Sequence, residues 1–158
     1  MADTSTDEGS DARMSATAYD DQNVFAKILR RELPATRVYE DDDVLVIMDV
    51  MPQAKGHTLV IPKKRSRNIF DIGANDLKAA ILAVQRVARA VQQAFDAPGI
   101  LVMQFNEPAA GQTVFHTHFH VIPRFDGVAL KSHSGKTANA GALADDAERI
   151  KSALGRLG

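Results

Sequence analysis

Cysteine and tryptophan are both absent from this 158-residue chain, and neither sign of charge is in excess. Without cysteine the protein can form neither a disulfide framework nor a thiolate zinc site, and nothing indicates an oxidising compartment. The 19 basic and 20 acidic residues give a net charge of -1, so there is no positive field of the kind that drives nonspecific binding to nucleic acid. We therefore expect a cytoplasmic protein that does not bind nucleic acid.

The chain also lacks an apolar run of the roughly 20 residues that are needed to cross a bilayer. Polar side chains interrupt its longest helical pattern, at Lys78, Gln85, Arg86 and Arg89. Residues 1–20 are acidic and rich in Ser and Thr, and they lack the apolar segment of a signal peptide. Because they offer little apolar surface to offset the entropy lost on ordering, we expect residues 1–20 to be a disordered acidic tail. We expect no membrane association.

Residues 21–158 have the length and composition of a single globular domain. Helical spacing of apolar residues predicts a short N-terminal helix capped by Asn23, a long helix over 77–95 and a terminal helix over 143–154. Runs of β-branched and aromatic residues predict strands over 37–40, 44–48, 57–61, 100–105 and 115–122. The segment from about residue 127 has weak periodicity. This order predicts an α+β fold, in which an antiparallel sheet is backed by one long helix and a short N-terminal helix.

Three histidines at alternate positions, His116, His118 and His120, are the clearest chemical feature of the sequence. Alternate side chains of a strand project from one face, about 6.5–7 Å apart, so a strand over 115–122 would bring three imidazoles to one small ligand. Phenylalanine and valine on the opposite face would anchor that strand by burial. His133 stands alone and is interpreted as an ordinary polar side chain.

Two kinds of chemistry fit this row of imidazoles. Neutral imidazoles are zinc ligands, and two histidines two residues apart on a strand can hold one ion. No carboxylate lies close to the run in sequence, however, so a metal site is the second choice. The other possibility is a nucleophilic histidine that attacks phosphorus while its neighbours fix its tautomer and protonate the leaving atom.

The segment His116-Thr117-His118-Phe119-His120-Val121-Ile122 resembles the His-x-His-x-His motif, followed by apolar residues, of the histidine triad (HIT) superfamily. Gly111-Gln112-Thr113-Val114-Phe115, which precedes it, also resembles that family. The resemblance extends over about residues 23–125 and is similar to the Hint-like and bacterial HIT branches. Further matching segments are 25–28, 32–34, 38–42, 49 and 56–64.

This resemblance implies a nucleotide-binding hydrolase that acts on the α-phosphate of a purine nucleotide. His118 would be the nucleophile that forms a nucleotidyl-histidine, and His120 would hydrogen-bond the leaving atom, with support from His57 and His116. The resemblance also implies which side chains hold the α-phosphate, the ribose and the purine. They are Asn106, Gln112 and Thr113 for the phosphate, Asp49 for the ribose, and Val24, Phe25, Ile28 and Ile47 for the purine.

The implied substrate is a purine nucleoside phosphoramidate, with AMP or GMP as the bound mononucleotide and no cofactor. Hydrolysis of dinucleoside polyphosphates is an alternative within the same class. Nucleotide binding with vestigial catalysis is an alternative from a different class. Ordinary core packing is the alternative role for Phe25, Ile28 and Ile47, and a turn cap is the alternative for Asp49.

The sequence departs from the family at two places. Many bacterial relatives bind structural zinc through two cysteines of the first helix, a histidine after a lysine pair and a triad histidine. Here Asn23, Ala26 and Arg65 stand at three of those positions, so we expect no structural metal. Hint-type enzymes also place a tryptophan of the partner subunit beside the leaving group, and this chain has none. The family further implies a homodimer through the long helix and a continuous sheet.

Overall fold

The computed structural model describes residues 18–133 and 136–158, so residues 1–17 of the expected tail lie outside it. Five strands form one antiparallel sheet in the order β1-β2-β3-β5-β4. They are β1 (Arg37–Glu40), β2 (Val44–Met48), β3 (Thr58–Pro62), β4 (Gly99–Met103) and β5 (Phe119–Arg124). The helices are α1 (Val24–Leu29), α2 (Ala74–Phe95) and α3 (Ala140–Arg156), with a 3₁₀ turn at Pro108–Ala110. The predicted α+β class is confirmed.

Both faces of the sheet are covered, and β2 shows how the sequence divides them. All five residues of β2 are buried, because successive side chains enter two different clusters. Val44, Val46 and Met48 pack into the core under α2 and α3. Leu45 and Ile47 pack on the other face with residues of α1. The second face is covered by the short helix α1 and by loop residues such as Ala35 and Val114, and this leaves room for a cavity.

Local chemistry marks the start of α1 and the end of α2. Asn23 caps α1 as expected, since its Oδ1 accepts the N–H of Ala26 at 2.9 Å. The long helix α2 ends at Asp96, whose φ of 49° is left-handed. The terminal helix α3 is longer than its predicted core and packs against α2 and β1. In the described part of the chain no helix is long and apolar enough to cross a membrane.

The strand predicted over 115–122 is wrong in its first half, because β5 begins at Phe119. In the register of β3 with β5, Val60 pairs with Phe119, so a longer ladder would place Ile61 opposite His118 and Pro62, which has no N–H to donate, opposite Thr117. The N–H of Thr117 instead donates to the carbonyl of Ser66 at 2.9 Å. Residues 115–118 are therefore irregular, and the three histidines do not form one straight row.

Candidate functional site

A cavity of about 480 Å³ opens on the sheet face that carries α1. His120 lies at its floor between Leu59 of β3 and Met103 of β4, which are its cross-strand partners and also line the cavity. Eight of the twelve predicted site residues line this cavity. They are Val24, Phe25, Ile28, Ile47, Asp49, Thr113, His118 and His120. The lining thus combines apolar side chains with ionisable groups.

The hydrogen bonds of His118 fix its tautomer. Its Nδ1 lies 2.6 Å from the carbonyl oxygen of His116, and because a carbonyl only accepts, Nδ1 carries the proton. Burial lowers the pKa of His118 to about 4, so the ring is neutral at neutral pH and Nε2 keeps its lone pair. The ring of Phe25 packs edge-on against it, with centroids 4.7 Å apart. His118 therefore presents an oriented, unprotonated nitrogen to the cavity.

A chain of hydrogen bonds places the ring proton of His120 on Nε2, whereas that of His118 is on Nδ1. The backbone N–H of Gln53 donates to His57 Nδ1 at 3.0 Å, which leaves the proton of the neutral His57 ring on Nε2. His57 Nε2 lies 2.9 Å from His120 Nδ1, so His57 donates and His120 accepts. The proton of His120 is then on Nε2. Burial lowers the pKa of His57 to about 4 and, with His118 and His57 adding to it, that of His120 to about 3.

His116 lies outside the cavity, and the expectation that it shares one pocket with His118 and His120 is wrong. Its Nε2 donates to the carbonyl of Pro62 at 2.7 Å, and its Nδ1 accepts from Tyr19 Oη at 2.6 Å. Both ring nitrogens are therefore hydrogen-bonded to other parts of the chain. Burial lowers the pKa of His116. The irregular backbone of residues 115–118 turns this ring away from its neighbours.

The corner that binds structural zinc in many bacterial relatives is filled here by other contacts. Asn23 uses its side chain to cap α1, and the guanidinium of Arg65 lies 5.9 Å from the ring centre of Tyr19. Neither residue offers zinc a thiolate or an imidazole, and both nitrogens of His116 are already bonded. The residues present do not fit a structural zinc ion.

Asp49 links the histidines to His133, for which the sequence predicts only an ordinary polar side chain. Its Oδ2 lies 3.3 Å from His57 Nε2 and 2.7 Å from His133 Nε2, and its Oδ1 accepts the N–H of Met51 at 2.8 Å. His133 also lines the cavity. Its importance was missed because it lies in the segment of weak periodicity, 84 positions from Asp49. No local sequence signal could have found this pair.

Donor atoms of Asp49, His57 and His120 lie within 4.8 Å of one another, which is close enough to hold a metal ion. The hydrogen bonds disfavour that use. A metal on His57 Nε2 would leave the ring proton on Nδ1, where it would face the N–H of Gln53 instead of an acceptor. The pattern favours a relay of hydrogen bonds over a metal centre.

Gln112 holds the loop beside the cavity and does not line it. Its Nε2 donates to the carbonyls of Arg67 and Val114, and its Oε1 accepts from Asn68 Nδ2 and the N–H of Glu107. The side-chain amide thereby donates two hydrogen bonds and accepts two. The residue is buried. Gln112 fixes the backbone that leads into the histidines.

The other two residues predicted around a phosphate differ in position. Thr113 lines the cavity and is exposed, so its hydroxyl is available to a ligand. Asn106 does not line the cavity, because its Oδ1 accepts from the N–H of Ile69 at 2.8 Å and its Nδ2 donates to Gln104 Oε1 at 2.8 Å. Gly111, with a φ of 95°, lines the cavity next to Thr113.

Comparison with known proteins gives a consistent family. A model described as the HIT domain matches residues 30–127. A Hit-like protein of Bartonella henselae, described as involved in cell-cycle regulation, has a crystal structure with an unknown ligand. It superposes with a TM-score of 0.81 at 54% identity, covering 86% of this chain and 99% of that one.

Relatives by sequence include a bacterial and a plant protein. Protein hit of Bacillus subtilis is 38% identical over 116 residues, which are 70% of this chain and 80% of that protein. Adenylylsulfatase HINT3 of Arabidopsis thaliana is 30% identical over 156 residues, which are 99% of this chain and 79% of that protein. The similarity to HINT3 extends through the C-terminal segment that carries His133.

Proposed function

Because the chain belongs to the HIT family, whose members bind nucleotides and are generally hydrolases, we propose that it hydrolyses a purine nucleoside phosphoramidate or a similar nucleotidyl substrate. The attack is on the α-phosphorus, and the intermediate is a nucleotidyl-histidine on His118. The observation that carries this proposal is the opposite polarity of two adjacent rings. His118 offers a lone pair and His120 an N–H, with ring centroids 5.1 Å apart.

The two steps follow from that polarity. In the first, His118 Nε2 forms a bond to phosphorus while the bond from phosphorus to the leaving nitrogen or oxygen breaks. The leaving atom accepts a hydrogen bond from His120 Nε2–H and takes its proton from solvent, and the imidazolium charge that develops on His118 is stabilised by its Nδ1–H bond to the carbonyl of His116. In the second step the oxygen of a water molecule bonds to phosphorus, the bond from phosphorus to His118 Nε2 breaks, and the proton that the water loses returns to solvent. The products are a nucleoside monophosphate and the free leaving group.

The residues that line the cavity support binding of a mononucleotide. Phe25, Ile28 and Ile47 form an apolar slot that suits a purine ring. Asp49 is the proposed acceptor for ribose hydroxyls, and Thr113 with the backbone at Gly111 is the proposed contact of the α-phosphate. Val24 extends the slot, whereas Gln112 and Asn106 act by holding the phosphate loop. Such a site accepts AMP or GMP without a cofactor.

The leaving group is the open part of the specificity. The name of the Arabidopsis relative implies that it acts on adenylyl sulfate, so sulfate is one leaving group to compare with an amine. A dinucleoside polyphosphate, whose leaving group is a nucleotide, is another. Rates on these three kinds of substrate, measured on one enzyme preparation, identify the preferred class.

Substitution of the nucleophile tests the proposal. His118→Ala is expected to lower turnover by on the order of 10⁴ or more and to keep AMP binding, because purine and ribose contacts are unchanged. Calorimetric AMP binding and alkaline quenching with a substrate labelled at the α-phosphate supply the two readouts. Wild-type protein should show a labelled histidine adduct, because the P–N bond of a nucleotidyl-histidine survives base but is cleaved by acid. Undiminished turnover in His118→Ala would refute the assignment. Loss of wild-type activity with a chelator, restored by zinc, would favour the metal site instead.

Members of the HIT family often form dimers, and we propose that this chain forms a homodimer through α2 and β4. Three large apolar side chains of these elements, Ile81, Leu82 and Val102, are 48%, 62% and 43% exposed. β4 is also an edge strand of the sheet, so it can continue the sheet into a second copy. Burial of these side chains would stabilise the pair.

A further inference from the structure

The carboxylate that faces the cavity already has a donor from the same chain. His133 Nε2 lies 2.7 Å from Asp49 Oδ2. The other oxygen, Oδ1, accepts the N–H of Met51 at 2.8 Å, and His57 Nε2 lies 3.3 Å from Oδ2. Both oxygens of Asp49 are therefore engaged before a ligand enters.

Of the two members of the His133–Asp49 pair, His133 is the one with room to move. The Asp49 side chain is 4% exposed, whereas that of His133 is 36% exposed. The loop after Asp49 is held in place, because Gln53 donates to His57 Nδ1 and Lys55 forms an ion pair of 2.6 Å with Asp146. A ligand that needs Asp49 would displace the histidine and leave the loop unchanged.

The backbone beside His133 is anchored to the loop that follows Asp49. The N–H of Lys131 donates to the carbonyl of Gln53 at 2.8 Å, and Gln53 Nε2 reaches the carbonyl of Lys131 at 3.3 Å. These bonds hold Leu130 and His133 at the cavity wall. The imidazole can therefore leave Asp49 by rotation of its own side chain, without release of the backbone.

We propose that His133 is a specificity-determining residue that competes with the ribose of the substrate for Asp49. This inference rests on the proposed function, in which ribose hydroxyls donate to the Asp49 carboxylate. A ribose diol needs the oxygen that His133 holds, so a ribonucleotide displaces the imidazole. A nucleotide without those hydroxyls leaves the pair intact. The apparent affinity for ribonucleotides is the intrinsic affinity multiplied by the fraction of molecules in which Asp49 is free.

Binding measurements on two nucleotides test this competition. If the pair is formed in about 80–90% of molecules, His133→Ala should tighten AMP binding about five- to tenfold. The same variant should bind 2′,3′-dideoxyadenosine monophosphate with unchanged affinity, because that ligand does not use Asp49. His133→Gln, whose amide can still donate to the carboxylate, should lie between the wild type and His133→Ala.

Lys131→Ala is the matched control. Lys131 contacts Gln53 through its main chain only, and its exposed side chain does not line the cavity. This variant should bind both nucleotides as the wild type does. Isothermal titration calorimetry gives the affinities, and NMR of the His133 ring should show its environment change on addition of AMP and stay constant with the dideoxynucleotide.

Each other result overturns the inference. Weaker AMP binding by His133→Ala would make His133 a direct ligand contact, and equal changes for both nucleotides would make it a general part of the cavity wall. Unchanged AMP affinity would show that the pair does not oppose binding. Failure of the wild type to bind either nucleotide would contradict the proposed function itself, and the competition with ribose would fall with it.

Discussion

At the scale of single residues, the chemistry of the site depends on which nitrogen of each ring carries the proton. Three fixed partners decide this: the carbonyl of His116 for His118, the N–H of Gln53 for His57, and His57 itself for His120. Two are main-chain groups, whose hydrogen-bonding roles do not change with pH. The division of roles between nucleophile and donor is therefore built into the backbone around the site.

The donor role of His120 predicts a dependence on the leaving group. His120→Asn removes the N–H that meets the leaving atom, so it should slow release of a poor leaving group such as an alkylamine by about 10²–10⁴-fold. A leaving group that departs as a stable anion, such as fluoride, needs little protonation and should be affected much less. Single-turnover rates on an adenosine phosphoramidate and on adenosine phosphorofluoridate measure the difference. Equal losses on both substrates would show that His120 only supports the fold.

At the scale of secondary-structure elements, the sequence predicts what local chemistry determines. The bounds of β1 and β2 match the prediction, because Asp41 turns the chain between them by accepting the N–H groups of Asp43 and Val44. The predicted start of β5 was wrong, because the true start depends on Pro62 of the neighbouring strand β3. Contacts between strands join distant positions that no local sequence pattern connects.

The candidate site was likewise predicted from the sequence only in part. The resemblance to the family indicated His118, His120 and Asp49, and the structure brings all three to one cavity. The environment of His116 depends on Tyr19, which is 97 positions away, and on irregular backbone that strand periodicity did not predict. Its separation from the cavity was therefore visible only in the folded chain.

The approach of β3 to the end of α2 depends on one glycine. Gly56 precedes His57 with a φ of 92°, and an added Cβ would lie 2.6 Å from Phe95 Cε2. Gly56→Ala should lower the free energy of unfolding by about 2–4 kcal/mol, since it combines backbone strain with a clash. Urea denaturation measures the change.

Gly155→Ala is the matched control for that experiment. Gly155 lies in α3, is exposed, and an added Cβ would meet nothing within 4 Å. Alanine there should raise stability by about 0.5–1 kcal/mol, because it lowers the entropy cost of the helix. If Gly56→Ala unfolded at the same urea concentration as the wild type, the described approach of Gly56 to Phe95 would be wrong.

At the scale of the whole molecule, the apolar surface of α2 and β4 predicts self-association. Leu82→Glu places a charge at the most exposed of these side chains and should convert the proposed dimer into a monomer. Leu157→Glu is the control, because Leu157 is also exposed but belongs to neither α2 nor β4. Sedimentation equilibrium gives the masses. A wild-type monomer, or a dimer that Leu82→Glu leaves intact, would contradict the proposed interface.

Four buried histidines also make the stability of the whole fold depend on pH. Burial lowers the pKa values of His57 and His118 to about 4 and of His120 to about 3, and it lowers that of His116 as well. Above pH 6.5, the ordinary value, these rings are neutral in both the folded and unfolded states. Between 6.5 and about 4 the unfolded chain binds protons that the folded protein excludes.

The free energy of unfolding should therefore fall as the pH drops below about 6.5, by up to about 1.4 kcal/mol per pH unit for each histidine. This loss begins at a higher pH than the loss due to carboxylates with lowered pKa values, such as Glu40 and Asp41. Calorimetric melting at a series of pH values measures it. His120→Asn, which removes one titrating group, should have a shallower slope than the wild type. A melting temperature that stayed constant between about pH 7.5 and about pH 5 would show that these rings are not held neutral by burial.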